Sequence, residues 1–168
     1  MIRTFQAMWR VDPGFTNPED VLTLRISIPD SLVEDPVQTA RMHAQISERI
    51  AQLPGVRSVG VSSSITMDGF ESNDPIFVED FPIPEGRLPA IRRYKWVGSN
   101  YFETMGNSII AGRALDWNDA YTKAPVAVVT ENFAREYWKE PSEALGRRIR
   151  NTPTSPWRTI VGVVADAR

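Results

Sequence analysis

Apolar and polar positions alternate along residues 21–28. Leu22, Leu24, Ile26 and Ile28 fall on one side, and Val21, Thr23, Arg25 and Ser27 on the other. A period of two predicts a strand with one apolar and one mixed face, and Pro29 closes it because proline cannot donate to a ladder. The period then changes. His43, Ile46, Ile50 and Leu53 follow three-four spacing with Ala40 one step earlier, while Gln38, Arg41, Gln45, Glu48, Arg49 and Gln52 take the opposite face. This predicts an amphipathic helix from 36 to about 53. Asp35 is placed to cap it, Pro36 to fill its first position and Pro54-Gly55 to stop it. Residues 56–65 read as a second strand, with Val59, Val61 and Ile65 on one side. Strand, helix and strand make a β-α-β unit, right-handed if the strands are parallel.

Residues 66–90 break the pattern with Gly69, Asp74, Pro75, Asp80, Pro82, Pro84, Gly86 and Pro89. They read as a long loop holding one short extended piece at 76–78, of the kind that is functional or mobile. Shorter elements follow: a strand over 91–97, then a helix capped by Ser99-Asn100 that runs through Met105 and stops at Gly106. An extended piece at Ile109-Ile110 leads into a turn-rich link over 112–119. A buried strand over 126–129 precedes a helix from Glu131 to Trp138, with Thr130 as its cap and Glu131 at the end favoured by the helix dipole. A polar strand at 147–150 and an apolar strand at 159–164 complete the series. The fold class is therefore α+β. Trp96, Tyr101, Phe102, Phe133 and Tyr137 fall at core-like positions; Trp117 and Trp157 fall in loop-like ones and suit contact anchors or gap fillers.

Composition narrows the functional classes. The 168 residues are 42% hydrophobic and 24% charged with a formal net charge of -2, ordinary for a globular chain with a core of its own. The basic residues form only short clusters, Arg92-Arg93 and Arg147-Arg148, so the stripe expected of a nucleic-acid partner is missing. There is no cysteine, which removes thiol catalysis and Cys-ligated metals and leaves the redox compartment open. No run approaches the roughly 20 apolar residues of a membrane-spanning helix. Met1 to Trp9 is amphipathic and short, without a signal-peptide pattern.

Candidate chemistry is sparse. His43, the lone histidine, sits on or beside the apolar stripe of its helix and reads as a packing residue rather than a general base. Ser62-Ser63-Ser64 ends a strand without the G-x-S-x-G turn that presents a hydrolase serine, so a polar strand end is the simpler reading. Asp68, Glu71, Asp74, Glu79 and Asp80 offer oxygen ligands to a hard cation, but their spacing departs from an EF-hand loop and Pro75 and Phe77 interrupt it. A solvated acidic loop is the simpler reading. Asp116, Asp119 and Glu131 would need to converge to form a two-carboxylate site, and Asp116 to Asp119 reads more simply as a turn. Phosphate-binding glycine loops are absent. No catalytic, cofactor-binding or metal residue is assigned, and no cofactor is expected.

Five motifs in series carry a resemblance: Arg10-Val11-Asp12-Pro13-Gly14-Phe15 followed by 17–24; Leu53-Pro54-Gly55-Val56-Arg57-Ser58-Val59; Val97 to Gly106 with Ala111-Gly112-Arg113; Val126 to Ala134 with Leu145-Gly146-Arg147-Arg148-Ile149; and Ile160 to Asp166. In this order, across nearly the whole chain, they resemble the MacB-like periplasmic core domain of ABC transporter permeases of the MacB/FtsX superfamily. The resemblance implies a membrane-proximal entry segment at 1–19, a porter-like β-α-β lobe at 20–98 that includes the 66–90 loop, and a small Sabre-like α/β lobe at 99–168. It implies a noncatalytic domain on the outer side of the inner (cytoplasmic) membrane, facing the periplasm or extracytoplasmic space. Such a domain transmits nucleotide-driven motion of the membrane helices to a substrate or partner. The implied partners are the permease's own transmembrane helices, a cytoplasmic ATPase, and a periplasmic adaptor or a second permease copy. The chain departs from the family pattern where the porter-like lobe would return after Val164, which implies a half-built lobe with an exposed sheet edge that invites pairing. A free-standing extracytoplasmic binding module, using the 66–90 loop and Trp117, is the alternative, and a small hydrolase built on the scattered carboxylates is a third reading.

Overall fold

The computed structural model describes residues 18–29, 31, 33–65 and 72–166. Its regular elements are the helices α1 (Pro36–Ala51), α2 (Tyr101–Met105), α3 (Trp117–Tyr121) and α4 (Glu131–Tyr137), with strands β1 (Ser72–Pro75), β2 (Phe77–Val78), β3 (Ile91–Tyr94), β4 (Ile109–Gly112), β5 (Val126–Thr130), β6 (Arg148–Arg150) and β7 (Arg158–Val164). The class is α+β, as expected. Two sheets form: a five-stranded sheet and the two-stranded ribbon β1–β3.

The strand β7 is the axis of the larger sheet. β5 runs parallel along it from Val126↔Thr159 to Thr130↔Val164. β6 pairs antiparallel with its first residues and β4 with its last. β2 adds to β6 through Phe77↔Arg150 and Val78↔Ile149. The near-continuous apolar run of β7 suits a strand covered on both faces, and Ile160 and Val163 are its largest fully buried side chains. Each contributes about 1.5–3 kcal/mol of burial free energy. The core continues through Val78, Val129, Ala134, Trp138 and Ala144, with Phe133, Tyr137 and Ile149 packed around it. At the Gly112↔Gly162 pair β4 and β7 approach closely. A Cβ on Gly162 would run into the carbonyl of Arg113, and one on Gly112, which has φ +71°, into that of Val161. Only glycine fits either position.

The helix starts largely follow the sequence. Asp35 accepts from the Val37 N–H at 3.1 Å with Pro36 at the first position, and Thr130 Oγ1 accepts from the Phe133 N–H at 3.3 Å. Asn100 precedes α2 as expected but makes no side-chain cap bond and holds a left-handed φ of 61°. Inside the expected turn-rich link lies α3, which a capping box secures: Asp119 N–H donates to Asp116 Oδ1, and Asp119 Oδ2 accepts from the Asp116 N–H, both at 3.0 Å. The sequence signal was the Asp-x-x-Asp spacing, a capping box with Asp at both ends.

The expected β-α-β unit does not form as a laddered unit among the described residues. Residues 21–29 carry no strand assignment, and in the second stretch the bridge Ser62↔Val97 is the isolated pairing. Alternation gives a strand its two faces, yet a strand persists only when a neighbour takes its backbone groups and a layer covers its apolar side. Here Leu22 is 91% exposed. The stripe of α1 shifts for the same reason. Ala44 and Ser47 are its buried residues, and α1 packs on α3, while Leu53 is left exposed.

Candidate functional site: a shallow cleft and a field of ion pairs

A cleft of about 180 Å³ opens beside α1, lined by Ala44, Ser47, Glu48, Ser58, Glu103 and Trp117 among others. Its floor is polar but satisfied. Ser47 Oγ donates to the His43 carbonyl at 2.9 Å, and Ser58 Oγ and Thr104 Oγ1 share a 2.7 Å bond. The volume lies well below the range of about 300–1,000 Å³ typical of small-molecule sites, and both serine hydroxyls that line it are taken up in these bonds. Trp117, expected as a contact anchor or a gap filler, is half-buried. Its ring lies over the Cα of Gly98 and stacks with Tyr121 at 6.5 Å, so it fills the gap between α3 and the 98–100 turn.

The remaining sequence candidates resolve into structural bonds. His43 is half-buried on α1, where its backbone carbonyl serves Ser47. Ser62 Oγ bonds the backbone of Ser64, and Ser63 Oγ accepts from the Trp96 N–H at 3.2 Å. The three serines thus close a local turn. Asp68 and Glu71 lie outside the described residues. Asp74 accepts from Asn151 Nδ2 at 3.0 Å and from the Tyr94 hydroxyl. Burial, and then the Asp74 carboxylate, push the Tyr94 phenol up from its ordinary pKa. Glu79 pairs with Arg148, and Asp80 with Arg147 at 3.1 Å. No group of three metal-ligating side chains assembles among the described residues.

Asp116 and Asp119 meet, but as a capping box that shares Arg113, and Glu131 does not join them. Arg113 grips Asp119 with two bonds of 2.7 Å, a fork-to-carboxylate geometry that favours the ionised acid. That guanidinium holds the Asp119 carboxyl below its usual range, assisted by the backbone bond from Asp116. Glu131 sits on α4 and pairs with Arg135 at i,i+4. A pair of carboxylates working on one bond needs a shared open space, and these three have none.

The aromatics correct the sequence reading in both directions. Trp157 is half-buried beneath the Arg150 guanidinium, 4.2 Å from its ring centre, and Phe77 lies 5.8 Å from that same guanidinium. Trp96, expected in the core, is 59% exposed with Arg158 over its ring at 5.1 Å. Its backbone continues β3 into a stretch with no covering layer, which alternation alone does not reveal. Tyr101 is buried as expected, and Phe133 and Tyr137 pack against the core. Trp138, the last residue of the expected α4, is a buried part of it. Exposed apolar side chains gather instead at Leu22, Leu24 and Ile26, and at Leu88, Ile91 and Trp96.

Comparison with known families matches residues 2–168 to the MacB-like periplasmic core domain. Among solved structures, the chain is similar to the periplasmic region of MacB from Actinobacillus actinomycetemcomitans. That match has TM-score 0.53 and 17% identity, and covers 74% of this chain and 50% of the other. A domain of a putative permease protein from Porphyromonas gingivalis is similar with TM-score 0.44 and 18% identity, over 73% of this chain and 50% of that one. The chain thus spans about half the length of the solved chains it matches. None of the curated proteins matches it. No helix among the described residues is long and apolar enough to cross a membrane.

Proposed function

The chain belongs to the MacB-like periplasmic core domain family, and on that premise we propose that it is the noncatalytic extracytoplasmic domain of an ABC transporter permease. It stands on the periplasmic side of the inner membrane. There it transmits nucleotide-driven motion of the permease's membrane helices to a substrate or partner outside the cytoplasm. The energy source is a cytoplasmic ATPase, and a periplasmic adaptor or a second permease copy is the partner class. Residues 20–98 act as the porter-like lobe, completed by the remainder of the permease, and 99–168 as the Sabre-like lobe.

The observation that carries this reading is the family match over residues 2–168. The arrangement of charge supports it. The acids singled out in the described sequence are engaged by neighbouring arginines or amides, as with Glu79–Arg148 and Asp119–Arg113. Acids held this way by forked arginines and amides fix local geometry.

Deleting residues 20–166 from the permease that carries them, then measuring transport and ATP hydrolysis in parallel, tests the proposal. Loss of transport with basal hydrolysis retained is the expected result. Transport that survives the deletion overturns it, as does turnover of a substrate by the domain alone.

A further inference from the structure

Two extended segments, paired with each other as β3 and β1, together lead from the 61–63 stretch into the five-stranded sheet, and each changes partner on the way. The first is 90–98. Its far end pairs with 61–63: Gly98 N–H donates to the Val61 carbonyl at 2.8 Å, and Ser63 N–H to the Trp96 carbonyl at 2.9 Å. Its near end is β3, paired with β1 from Tyr94↔Ser72 to Ile91↔Pro75. The second segment is 72–79. Its first half is β1. At Ile76 it makes a last bond to the 90–98 segment, N–H to the Ala90 carbonyl at 3.3 Å. From the next residue it is β2, paired with β6, and Glu79 N–H donates to the Arg148 carbonyl at 3.0 Å. The hydrogen-bonded path therefore reads 61–63, 96–98, β3, β1, β2, β6, β7.

Side chains clamp this path to the body of the molecule at three points. Arg92 on β3 reaches Glu136 on α4 with bonds of 2.5 and 2.6 Å. Asp74 on β1 accepts from Asn151, just beyond β6. Arg158 of β7 lies over the Trp96 ring. At the sheet end Val78 is buried in the main core. A ribbon held along its length and rooted in a close-packed core shifts with that core or not at all, since packed interiors are discrete rather than continuously deformable.

We propose that this ribbon is a mechanical coupling between the two halves of the chain, beside the packing of α1 on α3 and the Ser58–Thr104 bond. Segments 72–79 and 90–98 form one cooperative unit that ties the order of the 61–63 stretch to the central sheet, with the changeover at Ile76 as its joint. The proposal rests on the transmission reading only for its purpose. Amide exchange reads the linkage and a transport assay reads the purpose, so the two fail separately.

Site-resolved amide hydrogen exchange on the 168-residue chain tests it. Ile76→Pro removes the N–H donor at the changeover. The expected result is about tenfold or greater acceleration at Gly98 and Ser63, 22 and 13 positions from the change, as one opening unit requires. Ile160 and Val163 keep their wild-type rates. Val126→Ala, on the opposite flank of β7, serves as the control and leaves Gly98 unchanged. If Ile76→Pro does not fold, the double variant Arg92→Ala/Asn151→Ala, which removes two clamps and no backbone bond, is expected to shift Gly98 in the same direction. The proposal is overturned if acceleration stays within 72–79 and 90–92. It is equally overturned if Val126→Ala accelerates Gly98 as much as the ribbon variants do.

Discussion

The half of the chain from residue 99 onward and the half before it treat their apolar side chains in opposite ways. Among the described residues, all but Ala44, Val78 and Pro89 of the buried apolar residues lie in the later half, and all but Ile110 of the exposed large hydrophobic ones lie in the earlier half. The two halves draw on the same kinds of residue. What differs is closure. The later half has a strand, β7, with neighbours pairing along it and α4 packed on the sheet, so each apolar face meets another. Among the described residues the earlier half has one long helix, the β1–β3 ribbon, and two alternating stretches with no ladder between those two. Hydrophobic pattern creates the demand for a covering layer, and topology decides whether the demand is met.

This contrast makes its largest prediction in the core. Ile160→Ala is expected to cost about 2–5 kcal/mol, whereas Leu22→Ala, at a side chain 91% exposed, should fall within about 0.5 kcal/mol of wild type. Denaturant midpoints of the two variants measure both. Equal losses would break the comparison. Gly162→Ala comes next, at about 1–3 kcal/mol for forcing a methyl group against the Arg113 carbonyl; the same titration shows it as a lowered midpoint with an unchanged slope.

Asp119→Asn sharpens the comparison at the seam where α3 meets α1. It removes a carboxylate that is only 11% exposed and gripped by Arg113, at a cost of roughly 1 kcal/mol near neutral pH. The sign of its pH dependence is fixed by the lowered pKa of Asp119. A depressed folded-state value adds stability above the unfolded value of about 4, and that stability is lost as pH falls through the folded value. The wild-type advantage over Asp119→Asn is therefore expected to shrink below about pH 4, read from thermal midpoints across pH. The smallest effect belongs to Glu79→Ala. The Glu79–Arg148 pair sits at the surface, with side chains 34% and 49% exposed, so its loss should cost no more than about 1 kcal/mol and should fade with added salt.

Most of the later half was legible in the sequence because its signals are local. Thr130 capping α4, the apolar run of β7 and the buried strand at 126–129 each carry their own evidence within a few residues. The fold class and the long capped helix were legible for the same reason. The ribbon was not: β1 lies in a proline-rich stretch, and its partner β3 is some twenty residues away, so neither periodicity nor turn chemistry announces the pairing. The strand at 21–28 erred the other way. Its alternation is strong, but the covering that would make it a strand is a nonlocal fact. As for function, the serines, His43 and the carboxylates carried no motif, and the structure ties them into turns, helix caps and ion pairs. Trp96 left the expected core because exposure depends on what lies opposite, which a window of sequence does not contain, whereas Trp117 took the gap-filling role, one of the two expected of it.

The absence of cysteine permits a direct test of whether the exposed face at 22–26 is covered in the working protein. Leu24→Cys, at a side chain 59% exposed, can be modified with a water-soluble maleimide in the 168-residue chain and in the permease that carries it. If the rest of the proposed porter-like lobe covers this face in the permease, labelling is rapid in the chain and slowed about tenfold or more in the permease. Equal rates in the two would contradict the account.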